Sequence, residues 1–204
     1  MFEYIALGFT FAFAAAVQPG PLTTYLISQT LSKGWKSTLP AMFAPLVSDG
    51  PIILLVLFLL SHISPFLISL LQILGGLFLL YLSFNAYKSY KSYSFEHEMS
   101  HLSPAQTVLK AAMVNFLNPN PYLGWSLVMG PLLIKGWHES PSYAVALLGS
   151  FYITIIVMLG VIIIVFAAAR NLGPKLNKML IGISAVALLA FGLYELYSGT
   201  KVYF

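Results

Sequence analysis

The sequence predicts an all-α integral membrane protein: six transmembrane helices forming two inverted three-helix repeats, with the first and fourth helices broken at Pro-x-Pro motifs. Three observations carry this. The 204 residues are 59% hydrophobic and only 8% charged, with a mean hydropathy of +0.86, outside the range of ordinary soluble domains. Six apolar stretches, residues 2–31, 38–61, 65–87, 106–134, 142–169 and 176–198, reach spanning length, since about 20 apolar residues cross a hydrocarbon core roughly 30 Å thick. One pattern also occurs twice: Gln18-Pro19-Gly20-Pro21 followed by Lys33-Gly34-Trp35, and Asn118-Pro119-Asn120-Pro121 followed by Lys135-Gly136-Trp137.

In the first and fourth spans, two prolines two residues apart remove two backbone donors and clash with the preceding turn, so each helix should break near its middle. Backbone freed in this way is tolerated at membrane depth only where protein or a watery cavity supplies partners. The first span could be misread as a secretory signal, because Ala14-Ala15-Ala16 looks like a cleavage site. It lacks the basic start of a signal and stays apolar too long. Gly8, Ala12, Ala16 and Gly20 recur every fourth residue there, a face of small side chains suited to close helix packing. The second span holds Pro40, Pro45 and Pro51 around Asp49.

Helix starts are marked at Ser64-Pro65, Ser103-Pro104-Ala105-Gln106 and Ser140-Pro141, each a serine cap before a proline, the second with capping-box spacing. Gly173-Pro174 marks the last helix. Spans three, five and six lack interior prolines and read as scaffold, leaving spans one, two and four as the working part. Three spans per repeat is an odd number, which forces the second copy to insert upside down. The symmetry is imperfect, because span five has neither the prolines nor the carboxylate of span two. The whole is a single transmembrane domain, 1–204, with repeat one at 1–87, a cytoplasmic loop at 88–105 and repeat two at 106–204.

Charge sets the orientation. With both termini outside, Lys33, Lys36, Lys88, Lys91, Lys110, Arg170, Lys175 and Lys178 fall on the cytoplasmic side and only Lys135 and Lys201 outside, a positive-inside bias. Trp35, Tyr87, Tyr90, Tyr93, Trp137, Tyr197 and Tyr203 cluster at the expected headgroup levels. This explains the basic residues without a nucleic-acid partner.

The breaks and Asp49 all fall near mid-membrane. Asp49 reads as the only acid deep in a span, Glu195 lying near an end. A central carboxylate costs about 2.5–3.5 kcal/mol on insertion scales, so it should be paired or functional. It is a candidate proton carrier; the plainer reading is a neutral carboxyl bonded to backbone freed by Pro45 or Pro51. Gln18, Thr23, Thr24, Ser48, Asn115, Asn118 and Asn120 supply neutral amides and hydroxyls around it, though each alone could be helix-to-helix glue. Half-helices beginning after Pro21 and Pro121 would aim positive dipole ends at the cavity, a seat for a carboxylate. With Asp49 taking an ammonium or a proton, and Pro19, Gly20 and Pro119 forming the breaks, the constellation suits a zwitterion at a repeat interface.

Other chemistries fit less well. Cysteine is absent, removing disulfides, thiol redox chemistry and thiolate metal sites. His97 and His101 beside Glu96 and Glu98 have metal-like spacing but sit in a short polar loop. A metal-cation transporter using Asp49 and carbonyls at the breaks is the main alternative, with few hard ligands. No nucleotide loop of the Gly-x-x-x-x-Gly-Lys-Ser/Thr type exists, so direct ATP drive is not expected. No cofactor is expected and no enzyme, since no nucleophile and base share a depth.

The six spans, Pro19-Gly20-Pro21, the basic Lys33-Gly34-Trp35 loop and Asn118-Pro119 together resemble the lysine exporter (LysE) family and its superfamily, over nearly the whole chain. The resemblance implies an exporter of amino acids or related small solutes in the cytoplasmic (inner) membrane of a bacterium or archaeon, driven by the proton gradient. Where family members carry a lysine after the Asn-Pro of span four, this chain has Asn120, so a fixed cation is missing. The glycine ladder common in the family's second helix is replaced by Pro40, Pro45 and Pro51. Lysine or arginine specificity does not transfer on these residues. The expected partners are a small-molecule solute and membrane lipid; a homodimer is compatible with the reading.

Overall fold

The computed structural model describes residues 1–58, 65–91, 103–170 and 173–201. Among them all regular structure is helical: α1 (Phe2–Val17), α2 (Pro21–Lys33), α3 (Trp35–Thr38), a 3-10 turn (Leu39–Phe43), α4 (Ala44–Phe58), α5 (Pro65–Lys91), α6 (Pro104–Phe116), α7 (Pro119–Gly124), a π turn (Trp125–Met129), α8 (Gly130–Glu139), α9 (Pro141–Arg170) and α10 (Pro174–Thr200). The uninterrupted runs Trp35–Val56, Ser69–Lys91, Pro141–Ala169 and Pro174–Thr200 are long and apolar enough to cross a membrane, and α1 with α2 makes a fifth, broken span bent by 60°. Span two therefore starts at Trp35 rather than residue 38. The α6–α8 stretch, expected as another span, is interrupted and does not pass on its own.

Local chemistry explains each interruption. Pro19 disfavours a helical Gln18, which stands at φ −61°, ψ 124°; Gly20 is extended as well, and α2 restarts with Pro21 at its first position. At the second break Asn118 precedes Pro119 and is likewise extended, at φ −84°, ψ 128°. Here the new helix begins at Pro119, not after Pro121 as the motif suggested. Pro121 fits the first turn because the backbone N–H groups there have no helical partner anyway. The π turn was not foreseen. It precedes Pro131, whose missing donor and ring displace the usual bond to the turn before, and the crowding leaves room only for a glycine: a Cβ on Gly130 would lie 2.5 Å from the Trp125 carbonyl oxygen.

The expected capping box is present, with Gln106 N donating to Ser103 Oγ at 3.3 Å and Ser103 N to Gln106 Oε1 at 3.2 Å. Ser140 does precede α9, but its hydroxyl pairs with that of Ser142 at 2.9 Å. Gly173 stands at φ +122°, a region open to glycine, which makes it the required residue before Pro174. Ser64, the His97 and His101 cluster, Tyr93 and Tyr203 lie outside the described residues.

The helices pair in three sets. α1 runs parallel to α9: Tyr4 stacks on Tyr143 at 5.3 Å, and Phe11 meets Phe151 at 6.2 Å. Between these rings a Cβ on Gly8 would collide with Ser150 and the Leu147 carbonyl, so the small-residue face does serve close packing. Gly8, Ala12 and Ala16 are buried, whereas Gly20 has left the helix. α4 runs beside α6, joined at Asn115. α5 lies antiparallel to α10 with a seven-residue register: Ser69 Oγ donates to the Gly199 carbonyl, Gly76 abuts Gly192, Ser83 Oγ donates to Ala185 O at 2.9 Å, and Lys178 sits over the Tyr90 ring at 5.3 Å. A seven-residue repeat keeps one seam facing its partner along the helix.

One end of the bundle gathers the end of α2 with Lys33, the end of α5 with Lys88 and Lys91, and the start of α10 with Lys175 and Lys178; Asn177 Nδ2 donates to Leu31 O there at 3.2 Å. At the other end Tyr4 donates to Glu139 Oε2 at 3.0 Å and Lys135 lies 3.8 Å from Glu139. Phe2, Phe9, Ile153, Val157, Ile164, Val186 and Leu193 are among the large apolar side chains facing outward, as a lipid-facing surface requires.

Candidate functional site

Where α1 gives way to α2, the helices enclose a cavity of about 300 Å³ bounded also by α4, the α6–α7 break, the π turn and α9. Of the residues expected at the site, Gln18, Pro19, Gly20, Pro21, Thr23, Asp49, Asn115, Asn118, Asn120 and Pro121 line it. Thr24, Ser48 and Pro119 do not. Thr24 is half-buried on α2, Pro119 is buried behind the break, and Ser48 stands behind Asp49.

Asp49 is 3% exposed and held by side chains. Asn115 Nδ2 donates to Asp49 Oδ1 at 2.9 Å and to Ser48 Oγ at 2.8 Å. Ser48 Oγ in turn donates to Ala44 O at 3.1 Å and lies 3.4 Å from Asp49 Oδ1. The Trp125 indole also interacts with the carboxyl. Its partners are thus the Asn115 amide, the Ser48 hydroxyl and the Trp125 indole, not backbone freed by Pro45 or Pro51. Asp49 is the only titratable side chain among the described lining residues. No group of three or more potential metal-ligating side chains converges among the described residues.

The two breaks differ in what they offer. Asn118 Oδ1 accepts from Asn120 N at 3.1 Å, capping α7 with its own side chain. Gly20 has none to give α2, and no side chain caps that helix. Pro21 lacks an N–H and the first intrahelical bond is Thr24 N to Gly20 O at 3.0 Å. The Leu22 and Thr23 N–H groups therefore end the helix without helical partners, and both residues line the cavity. The positive dipole end expected at both breaks is thus open at α2 alone.

Several walls were not legible in advance. Phe11, Trp125, Phe151, Ile155 and Leu159 supply the apolar side, with Trp125 edge-on to Phe151 at 5.4 Å. Phe151, Ile155 and Leu159 recur at four-residue spacing, which places them on one face of α9, but an all-apolar span hides such a stripe. The scaffold reading of span five is corrected accordingly. Trp125 carried a usable signal, being the one tryptophan far from the expected interfaces. The placement of Glu195 is also corrected: it is buried beside both breaks, sharing a pocket with Pro21 and Asn118. Asp49 is therefore not the only deep acid.

Broken helices around a mainly apolar cavity with one buried carboxyl, in a chain whose described outer face is apolar, are what a membrane transport protein requires. The family model for LysE type translocators matches residues 13–199, and the chain belongs to that family. No curated protein and no solved structure matches it.

Proposed function

We propose that the protein is a proton-coupled exporter of a small zwitterionic solute, with a neutral amino acid bearing an apolar side chain as the best fit. The family sets the class, export of amino acids or similar solutes. The observation that carries the finer reading is that one cavity is lined both by an uncapped helix start at Leu22–Thr23 and by the lone carboxyl of Asp49. The first is a seat for a carboxylate, by dipole and free N–H groups. The second takes an ammonium. Phe11, Trp125, Phe151, Ile155 and Leu159 leave the remaining wall to an apolar side chain, and the volume falls at the lower end of the ~300–1,000 Å³ typical of small-ligand sites. No basic side chain lines the cavity among the described residues, which disfavours acidic solutes.

Coupling follows from competition. Ionised Asp49 holds the ammonium; a proton arriving from outside neutralises it and releases the solute, so one site exchanges the two. Asn115 fixes the carboxyl in place, its N–H accepted by Oδ1. Six spans, both termini outside and an inverted repeat belong to the same proposal. The helix pairing supports it: exchanging spans one, two and three with four, five and six turns the one-with-five pair into four-with-two and leaves three-with-six unchanged.

A thermal-shift panel of amino acids, amines and divalent cations on the purified protein tests this. Neutral amino acids should raise Tm, a ligand at 100 times its Kd adding about 2.7 kcal/mol, and Asp49→Asn should remove the shift. Stabilisation by divalent cations alone would move the reading to metal transport.

A further inference from the structure

A second carboxyl lies behind the first break. Glu195 of α10 is 5% exposed and its Oε2 has no hydrogen-bond partner in the protein. It walls a pocket of about 10 Å³ with Pro21 of α2, Gly75 and Phe78 of α5, and Leu117 and Asn118 at the second break. A space of that size takes about one water. No charged side chain lines it from α2, α5 or the α6–α7 junction among the described residues; further along, α2 brings Tyr25 beside Tyr81 of α5 and, at the basic end, Lys33 beside Lys110 of α6.

Pro21 also begins a stripe along α2. Tyr25, Ser28, Gln29 and Ser32 follow it at offsets of four, seven, eight and eleven residues, so all share its face. The Tyr25 hydroxyl, Ser28 Oγ, Gln29 Oε1 and Ser32 Oγ are buried and have no partner in the protein. Buried polar groups are ordinarily satisfied, and four on one stripe call for partners from outside the protein, such as ordered water. α10 shows where the stripe leads. Asn177 precedes Glu195 by 18 residues, five turns of 3.6, and so lies on the same face. Glu195 meets α2 at Pro21, and Asn177 meets it at Leu31, beside Lys33 at the basic end.

We infer that Glu195 is a second proton-binding site, served from the basic end of the molecule by the polar stripe of α2 and intervening waters. Hydroxyl groups both accept and donate, so each can take a proton on one lone pair and release its own. One proton moves in total: uptake from the basic end leaves Glu195 as the neutral acid, and release along the same chain leaves it as the carboxylate. A single carboxylate facing a one-water pocket is too few hard ligands for a divalent cation. The inference rests on the proton-coupled reading only for its place in a transport cycle; proton binding at Glu195 does not depend on Asp49.

The test is pH-induced difference infrared spectroscopy on the purified full chain. The native protein should lose two protonated-carboxyl bands as pH rises, Glu195→Gln one of them and Asp49→Asn the other. Ser28→Ala combined with Ser32→Ala should keep both bands and slow deuterium exchange at the Glu195 band severalfold. A spectrum unchanged by Glu195→Gln, with its melting temperature retained, overturns the inference, as does sodium-dependent, pH-independent stabilisation that this variant abolishes. If Glu195→Gln does not fold, carbodiimide labelling of the native chain decides by mass spectrometry: an adduct at Glu195 that falls as pH rises supports the site, and no adduct at any pH overturns it. Failure of the zwitterion reading appears separately, as absent solute binding with the Glu195 band intact.

Discussion

At the scale of residues, the centre of the account is one amide. Asn115 donates to both Asp49 and Ser48, so it ties the second apolar stretch to the fourth and orients the carboxyl toward the cavity. Asn115→Leu should remove one donor from each of two buried acceptors, costing about 1–3 kcal/mol, and should lower Tm and solute affinity together; an unchanged melting curve would remove Asn115 from that role. Phe151 bounds the apolar wall, so Phe151→Ala should shift preference toward bulkier neutral amino acids in a competition binding assay. Asp49 and the neutral amides could be read from the sequence because polar groups stand out in apolar runs. Phe151, Ile155 and Leu159 could not, since nothing distinguishes a cavity-facing apolar residue from a lipid-facing one until packing partners are known. Glu195 was misplaced for another reason: distance from a helix end does not give depth when the neighbouring helix is broken beside it.

At the scale of elements, the proline motifs located both breaks: Gln18 and Asn118, each before a proline, stand in extended backbone, as that position favours, whereas Leu39, Ala44 and Gly130 stay helical before Pro40, Pro45 and Pro131. The motifs did not reveal which break stays uncapped. That depends on Gly20 against Asn118, one residue without a side chain and one that folds its own oxygen onto the next turn. Asn118→Ala should therefore uncap α7 at a cost of about 0.5–2 kcal/mol, read as a lowered Tm. The α5–α10 seam makes a second demand. A Cβ on Gly76 would lie 2.8 Å from the Gly192 carbonyl oxygen, and Gly76→Ala should destabilise the fold by about 1–3 kcal/mol through overpacking. A thermal melt matching the native one would contradict that seam.

At the scale of the whole molecule, the pairing of helices and the separation of charge describe one object. The lysines at the ends of α2 and α5 and the start of α10 meet at one end, while Tyr4, Lys135 and Glu139 meet at the other. On the proposed orientation the first end faces the cytoplasm, as the positive-inside rule expects. Because the chain has no cysteine, single substitutions report topology without background: Lys36→Cys should react with an impermeant thiol reagent only from the cytoplasmic face, and Lys201→Cys only from outside. The composition made the membrane class plain, and the doubled motif located the two breaks; the α6–α8 stretch departs furthest from expectation because the break at Asn118 divides it and neither piece is long and apolar enough to cross on its own. The central claim is that Asp49 exchanges a proton for a solute at the breaks. Its most direct test is uptake of neutral amino acids by proteoliposomes under an imposed pH gradient, comparing the native protein with Asp49→Asn. The expected result is gradient-driven accumulation by the native protein and none by a folded Asp49→Asn variant; equal accumulation by both would contradict the account.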